Sequence, residues 1–221
     1  MMLFLAQRLQ AHRQIFRQEV RGRAPRASHY MLRLWTACCI CFGLIACSEP
    51  PGGFNAIDVT GAAFAKAFEL RDSDGKPRKL SDFQGKVVLL FFGFTQCPDV
   101  CPTALTRASA VKKQLGSDGE KLAVIFVTID PERDTPAMLK EHTAAFDPSF
   151  VGLHADLKTT AETAAAFRIF YAKVPTGASY TMDHTATSYV YDPQGRLRLA
   201  APHALSADAL AADIRALLKT P

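Results

Sequence analysis

The sequence has too few cysteines for a disulfide-stabilised domain. It holds six. Three of them lie in the apolar stretch 34–46, and Cys47 follows that stretch directly, so the rest of the chain contains only Cys97 and Cys101. A domain with two cysteines is not a disulfide scaffold. Whatever chemistry these two residues perform, they perform it with each other.

The larger part of the sequence also lacks an excess of positive charge. The formal charge of the whole chain is +5. Residues 1–46 contain seven of the 26 lysine and arginine side chains but only one of the 21 acidic ones, which leaves 19 basic and 20 acidic side chains after residue 46. A near-neutral domain removes the main support for binding to nucleic acid. Nucleic acid is therefore not an expected partner.

A third absence is a long hydrophobic run. The apolar stretch 34–46 is too short to cross ~30 Å of hydrocarbon comfortably. It follows Arg33 and ends in Leu-Ile-Ala before Cys47, the form of a secretory signal whose last four residues resemble the bacterial lipobox. We expect Cys47 to be lipidated, and the alternative is an uncleaved anchor made from the same stretch. Either one tethers the protein at the extracytoplasmic, periplasmic face of a bacterial membrane.

Three segments follow from these observations. Residues 1–46 form a basic leader with the signal or lipoprotein segment, residues 47–62 a Pro/Gly-rich linker, and residues 63–221 the folded domain. The arginine-rich stretch before Met31 is unusually long for the start of a signal, so Met31 and Met1 are both candidate start residues.

Strand-like and helix-like segments alternate along the predicted domain. Continuous apolar runs predict strands buried on both faces at 86–92 and 121–130, and Asp74-Gly75 predicts an N-terminal β-hairpin. The other predicted elements are helices at 103–115, 135–146, 159–170 and 206–219, a short strand at 150–156, and a strand–turn–strand at 187–202. This order predicts an α/β, thioredoxin-like fold, a central β-sheet flanked by helices with the hairpin added at its N-terminal side.

Cys97 and Cys101 come where the first buried strand runs into the next helix. If Asp99 is the N-cap of this helix, Pro102 falls in the first turn, where a missing N–H costs little. The unpaired N–H groups and the positive end of the helix dipole favour a thiolate there. A thiolate is both the nucleophile of disulfide exchange and a soft ligand for Cu(I). The spacing leaves a structural disulfide, a redox pair and a metal site open.

A metal site needs at least one more ligand, and His184 is the candidate. It precedes a predicted strand that should lie near the sheet centre, at the end of the sheet where a thioredoxin-type layout places the cysteines. The other domain histidines, His142, His154 and His203, have no ligand partner at a telling spacing. Asp183 could orient the site, although neighbouring residues of an extended stretch point to opposite faces.

The motifs CPDVCP (97–102), DPERDTP (130–136) and the later Asp-His pair (183–184) occur in an order that resembles the Sco/SenC family of copper proteins. The resemblance runs from about Phe64 to the C-terminus. It implies a thioredoxin-like fold, and it implies one copper per chain, as Cu(I) or Cu(II), bound by Cys97, Cys101 and His184.

The resemblance also implies a function. Sco proteins assist assembly of the copper centre of cytochrome c oxidase, so the expected partners are the copper-binding oxidase subunit and a copper donor protein. The alternative is an exported thiol–disulfide oxidoreductase, and a peroxide-reducing relative shares the fold. Three residues between the cysteines, rather than two, favour metal binding.

The DPERDTP loop has two interpretations, a docking surface or a turn that stabilises the fold. Asp130 directly ends a buried strand, which favours a structural role for it. Glu132 and Arg133 are the candidates for docking. Phe94 is a candidate for shielding the site from water.

Overall fold

The computed structural model describes residues 53–220, and these build a mixed eight-stranded sheet with helices packed on it and a separate two-stranded sheet. The strands are β1 (Ile57–Asp58), β2 (Glu69–Asp72), β3 (Pro77–Lys79), β4 (Val87–Gly93), β5 (Leu122–Thr128), β6 (Val151–His154), β7 (Tyr171–Thr176), β8 (Ser179–His184), β9 (Ser188–Tyr191) and β10 (Leu197–Ala201). The α-helices are α1 (Val100–Leu115), α2 (Pro136–Ala144), α3 (Leu157–Ala166) and α4 (Ala207–Lys219). Short 3₁₀ helices cover Leu80–Phe83 and Gly116–Lys121.

The main sheet has the strand order β1-β10-β9-β4-β5-β6-β2-β3. Strands β4, β5 and β6 run parallel, and the strands outside them are antiparallel to their neighbours. Every residue of β4 and β5 is buried, which explains their unbroken apolar sequences. The predicted thioredoxin-like α/β fold and its added hairpin, β2–β3, are confirmed.

Helix boundaries follow local chemistry. Thr135 caps α2 by accepting a hydrogen bond from the N–H of Met138, with Pro136 at the first helical position, and Ser206 caps α4 in the same way. The prediction of helix over 159–170 is wrong at its end, because α3 stops at Ala166 and Arg168 turns back with φ +56°. Ile169, which follows this turn, is buried in the core.

Ordered structure begins before residue 63, the predicted domain boundary. Ile57 and Asp58 pair with β10. The buried carboxylate of Asp213 on α4 accepts the N–H groups of Asn55 and Ala56, each at 2.8 Å. The C-terminal part of the predicted linker 47–62 therefore belongs to the folded domain. No helix within residues 53–220 has the length and apolar character to cross a membrane.

Candidate metal centre

Cys97 and Cys101 lie at the junction of β4 and α1. Cys101 is in the first turn of α1 with no exposed surface, and Cys97 precedes the helix and is half-buried. Asp99 occupies the N-cap position, as predicted, but its side chain caps nothing. The Cys97 sulfur instead accepts the N–H of Cys101 at 3.3 Å. A sulfur thus takes the place of the usual capping oxygen, which favours its negatively charged form.

A buried carboxylate holds the loop that leads to Cys97. Asp134 accepts the backbone N–H of Thr95 at 3.0 Å and the Thr95 hydroxyl at 2.6 Å. Asp134 Oδ2, which accepts that N–H, also accepts the hydroxyl of Thr128, at the end of β5, at 2.6 Å. Asp134 is 2% exposed. These hydrogen bonds fix the loop on the neighbouring strand, so Cys97 has a defined position before any ligand binds.

The sulfur of Cys101 packs against a bare backbone. A β-carbon added at Gly93, the last residue of β4, would lie 2.7 Å from the Cys101 sulfur and 2.8 Å from the Phe126 ring. Real β-carbons do not approach other atoms so closely. Only glycine leaves room there for the buried thiol.

His184 ends β8 and faces the cysteines. Its Nε2 lies 3.6 Å from the Cys101 sulfur, and its Nδ1 lies 3.0 Å from the carbonyl oxygen of Thr185. Because a carbonyl can only accept, Nδ1 donates to it, and a neutral imidazole in this orientation presents its Nε2 lone pair to the Cys101 sulfur. The rings of Phe91 and Phe94 contact the imidazole in edge geometry, each at a centroid distance of 5.9 Å. The ring is therefore held in the orientation that a ligand needs.

The ligand atoms of Cys97, Cys101 and His184 all lie within 4.8 Å of one another. Across residues 53–220 this is the one such cluster of three residues. It borders a cleft of about 190 Å³, which is below the roughly 300 Å³ of ordinary organic-ligand pockets. Two thiol sulfurs and one imidazole nitrogen fit a soft ion such as Cu(I). The residues present therefore fit copper better than an organic substrate.

The pKa values of the two thiols are shifted in opposite directions. The pKa of Cys97 is lowered to about 5, chiefly because its sulfur is hydrogen-bonded to the Cys101 side chain. The backbone N–H groups of Asp99 and Cys101 lower it further. The same side-chain hydrogen bond, together with burial, raises the pKa of Cys101 well above its ordinary value. At neutral pH the apoprotein therefore holds a Cys97 thiolate next to a protonated Cys101.

We expect iodoacetamide to modify Cys97 well before Cys101 in the reduced, metal-free protein, because Cys101 is fully buried and the thiolate is the reacting form. The rate at Cys97 should stay nearly constant from alkaline to neutral pH and fall as the pH drops through about 5, where the sulfur gains its proton. Peptide mass spectrometry after short pulses measures this. A rate that is still climbing steeply near pH about 8.5 would show an ordinary thiol and contradict the prediction.

The remaining histidines lie elsewhere. His142 packs between the rings of Phe126 and Phe146, at 5.4 and 5.5 Å, and burial lowers its pKa. His154 is in β6 and His203 is in the loop after β10. Asp183 is exposed, since it alternates with His184 along β8. Cys47 lies outside the described residues, so its lipidation stays a prediction.

The sequence pattern does not predict two features of the site. One is Gly93. The other is the hairpin of β7 and β8, which presents His184 from a separate two-stranded sheet. The hairpin has a signal in hindsight, since Gly177, with φ +63°, lies in the turn between its strands.

The fold and the site define a class of protein, a thioredoxin-like domain with a two-cysteine, one-histidine group at the head of its first helix. The chain belongs to the SCO1/SenC family, whose model matches residues 58–219.

Individual relatives agree with this assignment. The SCO2-like protein of Rickettsia felis is 36% identical over 132 residues, which is 58% of this chain and 64% of that protein. The copper-bound structure of ScoI from Bradyrhizobium japonicum is 41% identical and has a TM-score of 0.65, covering 71% of this chain and 100% of that one. The copper-bound structure of yeast Sco1 is 30% identical with a TM-score of 0.64, covering 70% and 88%. Copper in these relatives supports the copper prediction made from the sequence.

Proposed function

We propose that this protein is a copper chaperone that binds one copper ion through Cys97, Cys101 and His184 and assists assembly of the copper centre of cytochrome c oxidase. The observation that carries the proposal is the group of three ligand atoms within 4.8 Å. Membership of the SCO1/SenC family and the copper-bound relatives support it. The partners would be the copper-binding subunit of the oxidase and a protein that donates copper.

The uneven burial of the three ligands suits an ion that is delivered rather than kept. Cys101 is fully buried, whereas Cys97 and His184 border the cleft and are partly exposed. A partner thiolate could therefore reach the ion from the side of Cys97 while Cys101 still holds it. Such a ligand-by-ligand exchange avoids releasing copper into solvent. Zinc suits the group less well, because structural zinc sites take four protein ligands.

A second function, thiol–disulfide exchange, is favoured by the state of Cys97. A half-exposed thiolate beside a buried thiol can attack a disulfide of an exported protein and form a mixed disulfide. Cys101, after losing its proton, then attacks Cys97 and releases the second partner thiol. Two electrons pass to the partner, and a Cys97–Cys101 disulfide remains, which can no longer bind copper through thiolates.

The location of the protein is part of the same proposal. We place it at the periplasmic face of a bacterial membrane, tethered by lipid at Cys47 or by an uncleaved N-terminal segment. Both assignments rest on the sequence before residue 53. Incorporation of labelled palmitate into the full chain but not into Cys47→Ala would support the lipid, and equal labelling of both would contradict it.

The function is tested by titrating the reduced fragment 48–221 with Cu(I) under anaerobic conditions against a competing chelator. We expect one tightly held copper per chain, with the affinity of His184→Ala lower by about tenfold, since two thiolates remain to hold the ion. The oxidised fragment should bind no Cu(I) tightly. Absence of tight copper in the reduced fragment, with free cycling between dithiol and disulfide, would favour the thiol reductase instead.

A further inference from the structure

The loop that follows β5 grips the hairpin that carries His184. Arg133 binds Asp130 of its own loop, Nε to Oδ2 at 2.5 Å, and donates from Nη1 to the carbonyl oxygen of Tyr180 on β8 at 2.7 Å. Its guanidinium lies 3.7 Å from the centroid of the Tyr180 ring. The Tyr180 hydroxyl closes the cluster by donating to Asp130 at 2.8 Å. We call these three residues the Arg133 clamp.

The clamp is needed because the hairpin is not paired with the main sheet. β7 and β8 form a sheet of their own, so the backbone ladder that aligns the other strands does not set the height of His184 above the cysteines. Side-chain contacts must do it, together with the three-residue link from His184 to β9. The hydrogen bonds between Phe170 and Thr185 join the two sides of the hairpin to each other. They do not attach the hairpin to the main sheet.

The geometry of β8 carries the effect of the clamp to the imidazole. Side chains two residues apart share one face of a strand, so Tyr180, Met182 and His184 point the same way. Tyr180 is held by the clamp, Met182 is 6% exposed, and His184 reaches the cysteines. Arg133 also lies 6.0 Å from the ring of Phe94, which in turn contacts His184. Arg133 thus contacts both the strand and the aromatic wall that orient the ligand.

The ion pair that joins the loop directly to the hairpin is a weaker support than the Arg133 clamp. Glu132 binds Lys173 on β7, but both side chains are more than two-fifths exposed. Exposed pairs contribute little, whereas the Arg133 pair is largely removed from solvent, with Asp130 1% and Arg133 17% exposed. Arg133 presents a planar fork that bonds and stacks at the same time, which lysine cannot reproduce.

We infer that Arg133 is a positioning residue that fixes the β7–β8 hairpin and thereby holds His184 Nε2 toward the two sulfurs. Its consequence for copper rests on the proposed function. Its consequence for the imidazole does not. For Arg133, this role inside the molecule takes the place of the docking role expected from the sequence.

The first test is a double-mutant cycle of Cu(I) affinity with wild type, Arg133→Lys, His184→Ala and the double variant. We expect Arg133→Lys to lower the affinity, by no more than the about tenfold loss expected of His184→Ala, because Arg133 acts through the imidazole. The loss caused by His184→Ala should be clearly smaller in the Arg133→Lys background, because the imidazole is already misplaced. An unchanged affinity, or equal losses in both backgrounds, would overturn the inference.

The second test needs no copper. In the reduced apoprotein, NMR cross-relaxation between the ring protons of His184 and Phe94 should be weaker in Arg133→Lys than in wild type. Arg133→Met, checked by circular dichroism, should weaken it further if that variant folds, and Arg133→Lys alone decides if it does not. Unchanged cross-relaxation in Arg133→Lys would refute the positioning role.

Arg78→Lys is the matched control. Arg78 also pairs with an aspartate, Asp72 at 3.2 Å, and lies 5.6 Å from an aromatic ring, Phe83, but on the β2–β3 hairpin. It should change neither the affinity nor the cross-relaxation, and an equal effect there would reduce the Arg133 result to general destabilisation. If wild type itself binds no Cu(I) tightly, the proposed function fails, and the NMR measurement still decides the role of Arg133.

Discussion

Replacing Cys97 with serine is expected to lower the affinity for Cu(I) by at least about 100-fold. Loss of a residue that only supports a ligand costs up to about 100-fold, and loss of a ligand itself should cost at least as much. The change swaps a soft thiolate for a hydroxyl that remains protonated at neutral pH, while the side-chain shape is nearly kept. Cys97 is half-buried and its loop is held by Asp134 through Thr95, so the fold should survive. Competition with a Cu(I) chelator measures the loss, and circular dichroism verifies folding.

His142→Ala is the control for this variant. His142 is another histidine of the same domain and could in principle bind a metal. Its ring packs between Phe126 and Phe146, and it is not part of the group formed by Cys97, Cys101 and His184. Its copper affinity should equal that of wild type. A similar loss in Cys97→Ser and His142→Ala would show that the titration reports folding rather than ligation, and the ligand assignment would fall.

Replacing Gly93 with alanine should damage both the stability and the site. The added methyl group would lie 2.7 Å from the Cys101 sulfur and 2.8 Å from the Phe126 ring, inside a fully buried strand. Overfilling a packed core costs about 1–3 kcal/mol. Because the sulfur is one of the two atoms that must move, Cu(I) affinity should fall by about tenfold or more as well. Urea denaturation and the copper competition titration measure the two effects.

Gly152→Ala separates the two consequences. A β-carbon at Gly152 would lie 3.1 Å from that of Leu139 in α2, which is also tight, but none of its three nearest atoms belongs to a proposed ligand. This variant should lose stability and keep its copper affinity. If Gly93→Ala binds copper as tightly as wild type, then the close contact with Cys101 does not matter for the site.

Much of the fold could be predicted because its central elements are marked by local chemistry. Strands β4 and β5 are buried on both faces, so they appear as unbroken apolar runs. The starts of α2 and α4 carry capping hydroxyls at Thr135 and Ser206. These signals act over a few residues and need no knowledge of the rest of the chain.

The β7–β8 hairpin could not be predicted in the same way. Apart from Met182 its residues are exposed or partly exposed, and it lies outside the main sheet. Strand β8 does alternate, with Tyr180 and Met182 on one face, but β7 contains a proline and ends in four exposed residues, so its sequence does not mark it as a strand. The contacts that hold it, chiefly the Arg133 clamp, join residues about 50 positions apart.

By itself the sequence determined which residues can supply the chemistry. Cys97 and Cys101 are the two cysteines after residue 47, and their spacing at a helix start follows from local pattern. The tertiary structure decided the rest. It placed His184, 83 residues beyond Cys101, at 3.6 Å from its sulfur. It also turned Gly93 into the space for a buried thiol. Side-chain types and turn signals are local properties, whereas the distance between two ligands depends on how every intervening element packs.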